Sequence, residues 1–484
     1  MRFHVTVAVA SLLTIALGAQ APDRTGPPAI GPAPALHLPT IQKRQLSNGV
    51  PVWLVELHEV PVVQVDLVVL RGSADDPSGK FGVASLVAAM LEEGAGSRSS
   101  LEIADAVDFL GADLGANGAT DSSEVRLHVP VARLAEALPI MADVALRPTF
   151  PNDELERLRR QRLTAILQAR DNPTTIDALA FSRVLFGTTH RYGTATNGTA
   201  QSIAAMTTSD LRSFYAGLYQ PASAALLVVG DTTMDKVLPL LESGFGAWKP
   251  QPGAVVAPVK LPAVDVPAAR TIYLVDKPGA PQSQIRIGSI GVPRSTPDFF
   301  PLQVLNTILG GSFSSRLNMN LREKNGYTYG ASSIFDMRVG AGPFVAAAGV
   351  QTDKTADALR EFFNEFNGIL KPVPADELAR AKNYISLRYP EGFETTGDIS
   401  RRLEDALVYR LPDDYFAKYV PNIEAVTAAD VQRVAQKYIQ PNRFAIVITG
   451  DRKTIEAPIR ALNLGTIKIL TVDDVFGLAP VVKQ

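Results

Sequence analysis

This chain repeats itself. Adding 220 to Val52-Trp53-Leu54-Val55 lands on Ile272-Tyr273-Leu274-Val275, and the same shift carries Pro61 and Gln64 onto Pro281 and Gln284. It also carries Asp210-Leu211 onto Asp430-Val431, Gln220-Pro221 onto Gln440-Pro441 and Gly230-Asp231 onto Gly450-Asp451. One offset that serves the start and the end of both halves argues for a duplicated folding unit, so whatever buries the core of the first copy needs a counterpart in the second.

Within each copy the pattern runs strands, helices, closing strand. Short β-prone runs bounded by Pro and Gly predict opening strands over 52–55 and 62–70, and over 272–275 and 284–290 in the second copy. A helix is expected over 153–168, where Leu155, Leu158, Leu163 and Ile166 are interspersed with Arg and Glu. The closing unit is a helix over 209–218, a Gln-Pro break and an apolar strand over 224–229. This mixture predicts an α+β fold: two homologous sandwich domains, each a mainly antiparallel sheet with helices packed on one face.

The flanks and the join are legible from composition. Arg2, an apolar run over 5–17 and Ala19-Gln20-Ala21 read as an export signal over 1–21, with cleavage after Ala21 or, with Ala16 in the small-residue position, after Gly18. The run is shorter than the ~20 residues of a spanning helix, so export to a periplasm or beyond is expected, and no later segment is apolar for long enough to hold the processed chain in a membrane. Pro, Ala and Gly dominate 22–40, which reads as a flexible leader, and a second Pro-rich stretch over 250–268 reads as a linker. The expected domains are then 41–249 and 269–465, with a C-terminal tail over 466–484. The absence of cysteine removes disulfides and thiolate metal sites, and 47 basic against 49 acidic residues provide no field for nucleic acid.

A helix near residue 82 carries an apolar stripe of Val83, Leu86, Val87, Met90 and Leu91, and its other face presents Ser85, Ala88 and Ala89. In the second copy, Gly310-Gly311-Ser312-Phe313-Ser314-Ser315-Arg316-Leu317 leads into Leu321-Arg322-Glu323-Lys324-Asn325-Gly326-Tyr327-Thr328-Tyr329-Gly330. The glycine pair predicts a turn, a Ser the cap of a short helix, Gly326 a left-handed helix end, and the rest a strand.

Over about residues 41 to 465 the chain resembles the insulinase or pitrilysin-type metallopeptidases. Their H-x-x-E-H helix holds zinc through two histidines and uses the glutamate as base. Here those positions read Ser85, Ala88 and Ala89, so the zinc motif is degenerate. The family's third ligand, a glutamate before an acidic-Asn/Asp-Pro turn like Asp171-Asn172-Pro173, falls in register on Ala165 or Ile166, neither of which ligates a metal. The five histidines, His4, His37, His58, His128 and His190, include no pair three to five apart. His190, in a loop like the family's His-Pro-Tyr-Gly with Arg191 in place of proline, is read as a structural turn residue, and His128 as a strand-face residue.

The resemblance also implies roles for the second motif. Arg322 and Tyr329, seven residues apart, match an arginine and tyrosine that face the zinc-bearing domain and stabilise the oxyanion of peptide hydrolysis. Gly310 and Gly311 would belong to a substrate-contacting loop. The chain is therefore expected to hold no cofactor, to cleave nothing alone, and to lend Arg322 and Tyr329 to a homologous H-x-x-E-H subunit that carries zinc and shares an extended peptide substrate with it. The alternative is a catalytically inert structural or peptide-binding subunit, like the core proteins of respiratory complexes.

Overall fold

The computed structural model describes residues 40–250 and 260–481. The expected export signal, the leader up to residue 39 and residues 251–259 of the expected linker lie outside the described residues. In the first half the strands are β1 (Gln42–Gln45), β2 (Pro51–Glu56), β3 (Val62–Val69), β4 (Gly94–Ala95), β5 (Arg98–Ser99), β6 (Asp113–Gly118), β7 (Ser123–Pro130) and β8 (Ala224–Gly230). The second half contributes β9 (Thr271–Asp276), β10 (Gln282–Ile290), β11 (Thr328–Phe335), β12 (Pro343–Gln351), β13 (Ala445–Gly450) and β14 (Thr466–Leu470).

Two six-stranded sheets result, ordered β1-β2-β8-β3-β7-β6 and β11-β12-β10-β13-β9-β14, with β4 and β5 forming a separate ribbon. The series β2-β8-β3-β7-β6 maps strand for strand onto β9-β13-β10-β12-β11, which is the repeat of the sequence expressed as topology. Most pairings are antiparallel; β8 runs parallel to β2, and β13 and β14 run parallel to β9. The copies differ at the strand outside β2 or β9. β1 arrives from the N-terminal side and pairs antiparallel, whereas β14 arrives from the C-terminal end and pairs parallel. Residues 466–470, assigned to a tail from composition, thus close the second sheet, and the Val472–Phe476 helix after them buries Val475 and Phe476.

One face of each sheet carries helices of its own half, as the α+β reading requires. In the first, Val52, Leu54, Val65, Leu67 and Leu226 meet Leu86, Met90, Leu138 and Met141 from helices Val83–Leu91 and Leu134–Leu146. The second repeats this with Ile272, Leu274 and Ile446 against Leu305, Leu309, Phe362 and Phe366. The central β8 is buried along its whole length, a continuous apolar run covered on both sides.

The cover of the opposite faces is exchanged between halves. Helix Thr396–Val408, from the second half, lays Ile399, Leu403 and Ala406 on Val55, Val68, Leu227 and Val229 of the first sheet. Helix Pro173–Phe186, from the first half, lays Ile176 and Ala180 on Val275, Val345, Ala445 and Val447 of the second. Polar contacts repeat the exchange. Asp66 on β3 accepts from Ser400 Oγ and from Gln64 Nε2 at 2.8 Å, and at the matching place on β10 Arg286 Nε lies 3.3 Å from Asp177 Oδ2, whose other oxygen accepts from Thr449 Oγ1 at 3.2 Å. No helix among the described residues is long and apolar enough to cross a membrane.

Candidate functional site

Helix Val83–Leu91 is set by its N-terminus. Gly82 caps it with φ +92°, where a side chain would be strained and would also come within 2.8 Å of the Asn197 carbonyl. The Asp76 carboxylate accepts from Gly82 N at 2.6 Å and Ala84 N at 3.0 Å, replacing a local cap and matching the positive helix end. Arg191 holds that carboxylate from behind: its Nη2 is 2.9 Å from Asp76 Oδ2, its Nε donates to Ser73 O, and its guanidinium covers the Phe81 ring at 4.7 Å. The arginine that stands where the resemblance has proline is therefore a buried brace of the helix.

Ser85, Ala88 and Ala89 lie on this helix, with Ser85 and Ala88 buried and Ala89 half-buried. Ser85 is engaged twice. Its Oγ donates to Gly82 O at 3.3 Å, and Arg162 of helix Asn152–Ala169 donates from Nη1 to Ser85 Oγ and from Nη2 to Ser85 O, both at 2.8 Å. Burial lowers the Arg162 guanidinium to about 10, and Asp76 opposes that shift. A zinc ion needs imidazole, thiolate or carboxylate donors; this place offers a committed hydroxyl, two methyl groups and a fixed cation. The residues do not fit zinc. Ala165 is exposed and Ile166 half-buried on the same helix as Arg162, and among the described residues no cluster of three His, Asp or Glu could hold a metal.

At the other end of the helix, Glu92 accepts from Ala116 N at 2.6 Å, so its carboxylate occupies an amide of the edge strand β6; burial raises its pKa. His190 is structural, as expected: Nδ1 accepts from Tyr192 N at 3.0 Å, Nε2 lies 3.2 Å from Pro262 O, and the ring stacks on Phe186 at 5.3 Å. His128 is half-buried on β7.

The second motif is built on two local irregularities. Gly310 ends helix Phe299–Leu309 and donates to Asn306 O at 2.8 Å, while its carbonyl accepts from Ser333 N at 3.0 Å. A Cβ at Gly310 would collide with Ser333 N, so only glycine lets this turn close against β11. Ser315 occupies the N-cap of the next helix but makes no capping hydrogen bond. The chain then widens into a π-turn over Met319–Lys324, with Asn325 N bonded to Asn320 O at 3.1 Å, and turns at Gly326 with φ +65°. Arg322 sits in the π-turn. Its guanidinium covers Phe313 at 4.8 Å and its Nε is 3.2 Å from Glu323 Oε1.

Tyr329 sits in a β-bulge, where the pairing of β11 with β12 shifts register between Thr328 and Ala331. It is 88% exposed on a strand otherwise held in a sheet. The fold brings Gly310 against the strand that carries Tyr329, while Gly311 donates to Asn306 O at 2.7 Å and packs on the end of the preceding helix. Among the described residues no hydrogen bond or ion pair joins Arg322 or Tyr329 to helix Val83–Leu91. Arg162, Asp76 and Arg191 are the site residues that sequence reading missed. Arg191 in place of proline was the available signal; Arg162 resembles any polar position of an amphipathic helix.

Residues 52–197 match the insulinase (peptidase family M16) domain, and residues 205–385 the peptidase M16 inactive domain. An uncharacterized zinc protease of Mycobacterium tuberculosis is 27% identical over 424 residues, 87% of this chain and 96% of that protein. A zinc protease of Bacillus subtilis, also uncharacterized, is 24% identical over 345 residues, 70% of this chain and 81% of its own length. Among solved structures, a peptidase M16 inactive domain from Pseudomonas fluorescens superposes with TM-score 0.78 at 28% identity, covering 85% of this chain and 98% of that one. A protease from Helicobacter pylori shares the fold with TM-score 0.79 at 22% identity, covering 86% and 100%. A duplicated pair of α+β sandwiches with exchanged cover helices is thus the class of fold. The chain belongs to the insulinase family, peptidase family M16.

Proposed function

We propose that this chain is the metal-free subunit of an exported two-subunit peptidase. A homologous H-x-x-E-H subunit brings the zinc, and this chain contributes peptide-binding surface together with Arg322 and Tyr329. The observation that carries the reading is the clasp of Arg162 on Ser85, which fixes a cation where the family's first zinc histidine would be. The exposure of Tyr329 adds to it, because a phenol in a strand bulge is held out from this chain and is available to another. A guanidinium and a phenol both donate hydrogen bonds to an oxyanion. In the complex with the partner, Arg322→Ala or Tyr329→Phe is expected to lower kcat about 10²- to 10³-fold, as for loss of one oxyanion donor. The measurement is peptide cleavage by the co-purified pair, and an unchanged rate in both variants excludes this role.

One observation favours a second reading. Arg322 is already engaged by Phe313 and Glu323, as suits a chain retained for assembly or peptide binding alone. In that case the partner cleaves at the same rate with either variant.

A further inference from the structure

The head of helix Val83–Leu91 carries more positive than negative charge in a poorly solvated place. Arg191 is paired with Asp76 at 2.9 Å, Asp75 beside it is paired with Arg71, and the Asp76 charge also acts on Arg162. The Asp76 carboxylate is already used by Arg191 and by the amides of Gly82 and Ala84. Arg162 makes no ion pair with any described residue, and its contacts are the hydroxyl and carbonyl of Ser85. The Arg191 side chain is only 4% exposed, and its Nη1 is buried with no hydrogen-bond partner. A desolvated cation without a counter-ion is unfavourable unless something anionic completes it.

We infer that Arg162 is a carboxylate-binding residue, and that the place a metal occupies elsewhere in the family receives here an acidic group of the peptide. Ser85 grips the guanidinium through one hydrogen from each terminal nitrogen, which fixes its plane and leaves Nε–H and the remaining hydrogens as donors. Such a planar fork matches a carboxylate. The carboxylate belongs to the chain terminus or to an Asp or Glu side chain of the peptide. Part-burial of Arg162 leaves its edge reachable from solvent. The site binds; it has no group to break a bond.

The inference rests on the peptide-handling reading above and is tested apart from catalysis. Calorimetry on the full chain compares an N-acetylated Ala-Ser-Gly peptide ending in a free carboxylate with its C-terminal amide. A second pair of amidated peptides carries one internal Glu or one Gln. Wild-type protein is expected to prefer the acid in one of the two pairs by about 10- to 100-fold, the range for a charge-assisted hydrogen bond, and the pair that discriminates identifies the source. Arg162→Met should abolish the preference, and Arg162→Lys, which keeps the charge and loses the fork, should retain part of it. Equal or absent binding in both wild-type pairs overturns the inference, whether or not the variants fold, and so does a preference undiminished in a folded Arg162→Met. A complex whose rate depends on Tyr329 while the chain ignores carboxylates retires this site and leaves shared catalysis standing; the opposite result retires shared catalysis alone.

Discussion

Asp177 shows how much one side chain can carry. It is fully buried on the exchanged helix Pro173–Phe186, and burial pushes its pKa well above the usual carboxylate range while Arg286 and Thr449 draw it back. Asp177→Ala removes the partner of both, and the loss of a buried pair's acid costs about 3 kcal/mol or somewhat less, since Arg286 is partly exposed. Chemical denaturation should show this loss; a midpoint shifted by less than experimental error would mean that the contact is incidental. At this scale the sequence was informative where a residue type was missing. Ser85, Ala88 and Ala89 announce themselves by lacking donors, whatever the fold does with them. It was silent where meaning depends on distance. Arg162 lies 77 residues from Ser85, and only the approach of two helices joins them.

At the level of elements, the seat of helix Thr396–Val408 on the first sheet is sensitive to pH. Desolvation raises Asp66 to about 6 and Glu404 to about 7, with Ser400 and Ser122 drawing them back and Glu124 pushing the same way as burial. Both folded values exceed the unfolded ones, so the folded state binds more protons between about pH 4 and 7. Stability from these groups is therefore fully present below pH 4 and is lost as pH rises through 6 and 7, on the order of a few kcal/mol. Asp298 acts oppositely: held at about 2 by Tyr438, Arg433 and Lys437 against burial, it favours folding above pH 4 and loses that contribution as pH falls toward 2. Thermal melts should give a higher Tm at pH 5 than at pH 8, with the difference reduced in Asp66→Asn and Glu404→Gln. A Tm that rises over that interval would contradict the burial argument. Regular elements were the legible part of the fold: the helix expected over 153–168 is Asn152–Ala169, and the strand expected over 224–229 is Ala224–Gly230. The π-turn that carries Arg322 and the bulge that carries Tyr329 were not, because one extra residue in a turn or a ladder leaves no period to read.

For the molecule as a whole, the repeat was readable as topology and unreadable as exchange. Periodicity shows that a helix has an apolar face; it does not say which sheet receives it, and Ile399 and Leu403 would read the same on either. Separate expression of residues 40–250 and 260–481 is expected to yield two insoluble or unfolded fragments, each with one sheet face bare, and co-expression to yield a soluble complex on size exclusion. A monodisperse, cooperatively melting fragment on its own would show that the exchange is dispensable. The same arrangement has a consequence for biogenesis. The last strand of the first sheet is synthesised by residue 230, yet its outer cover is not made until residues 396–408 follow. Over that interval a nascent chain displays an unprotected aliphatic surface, so its early half needs a chaperone or a delayed collapse until the late half arrives.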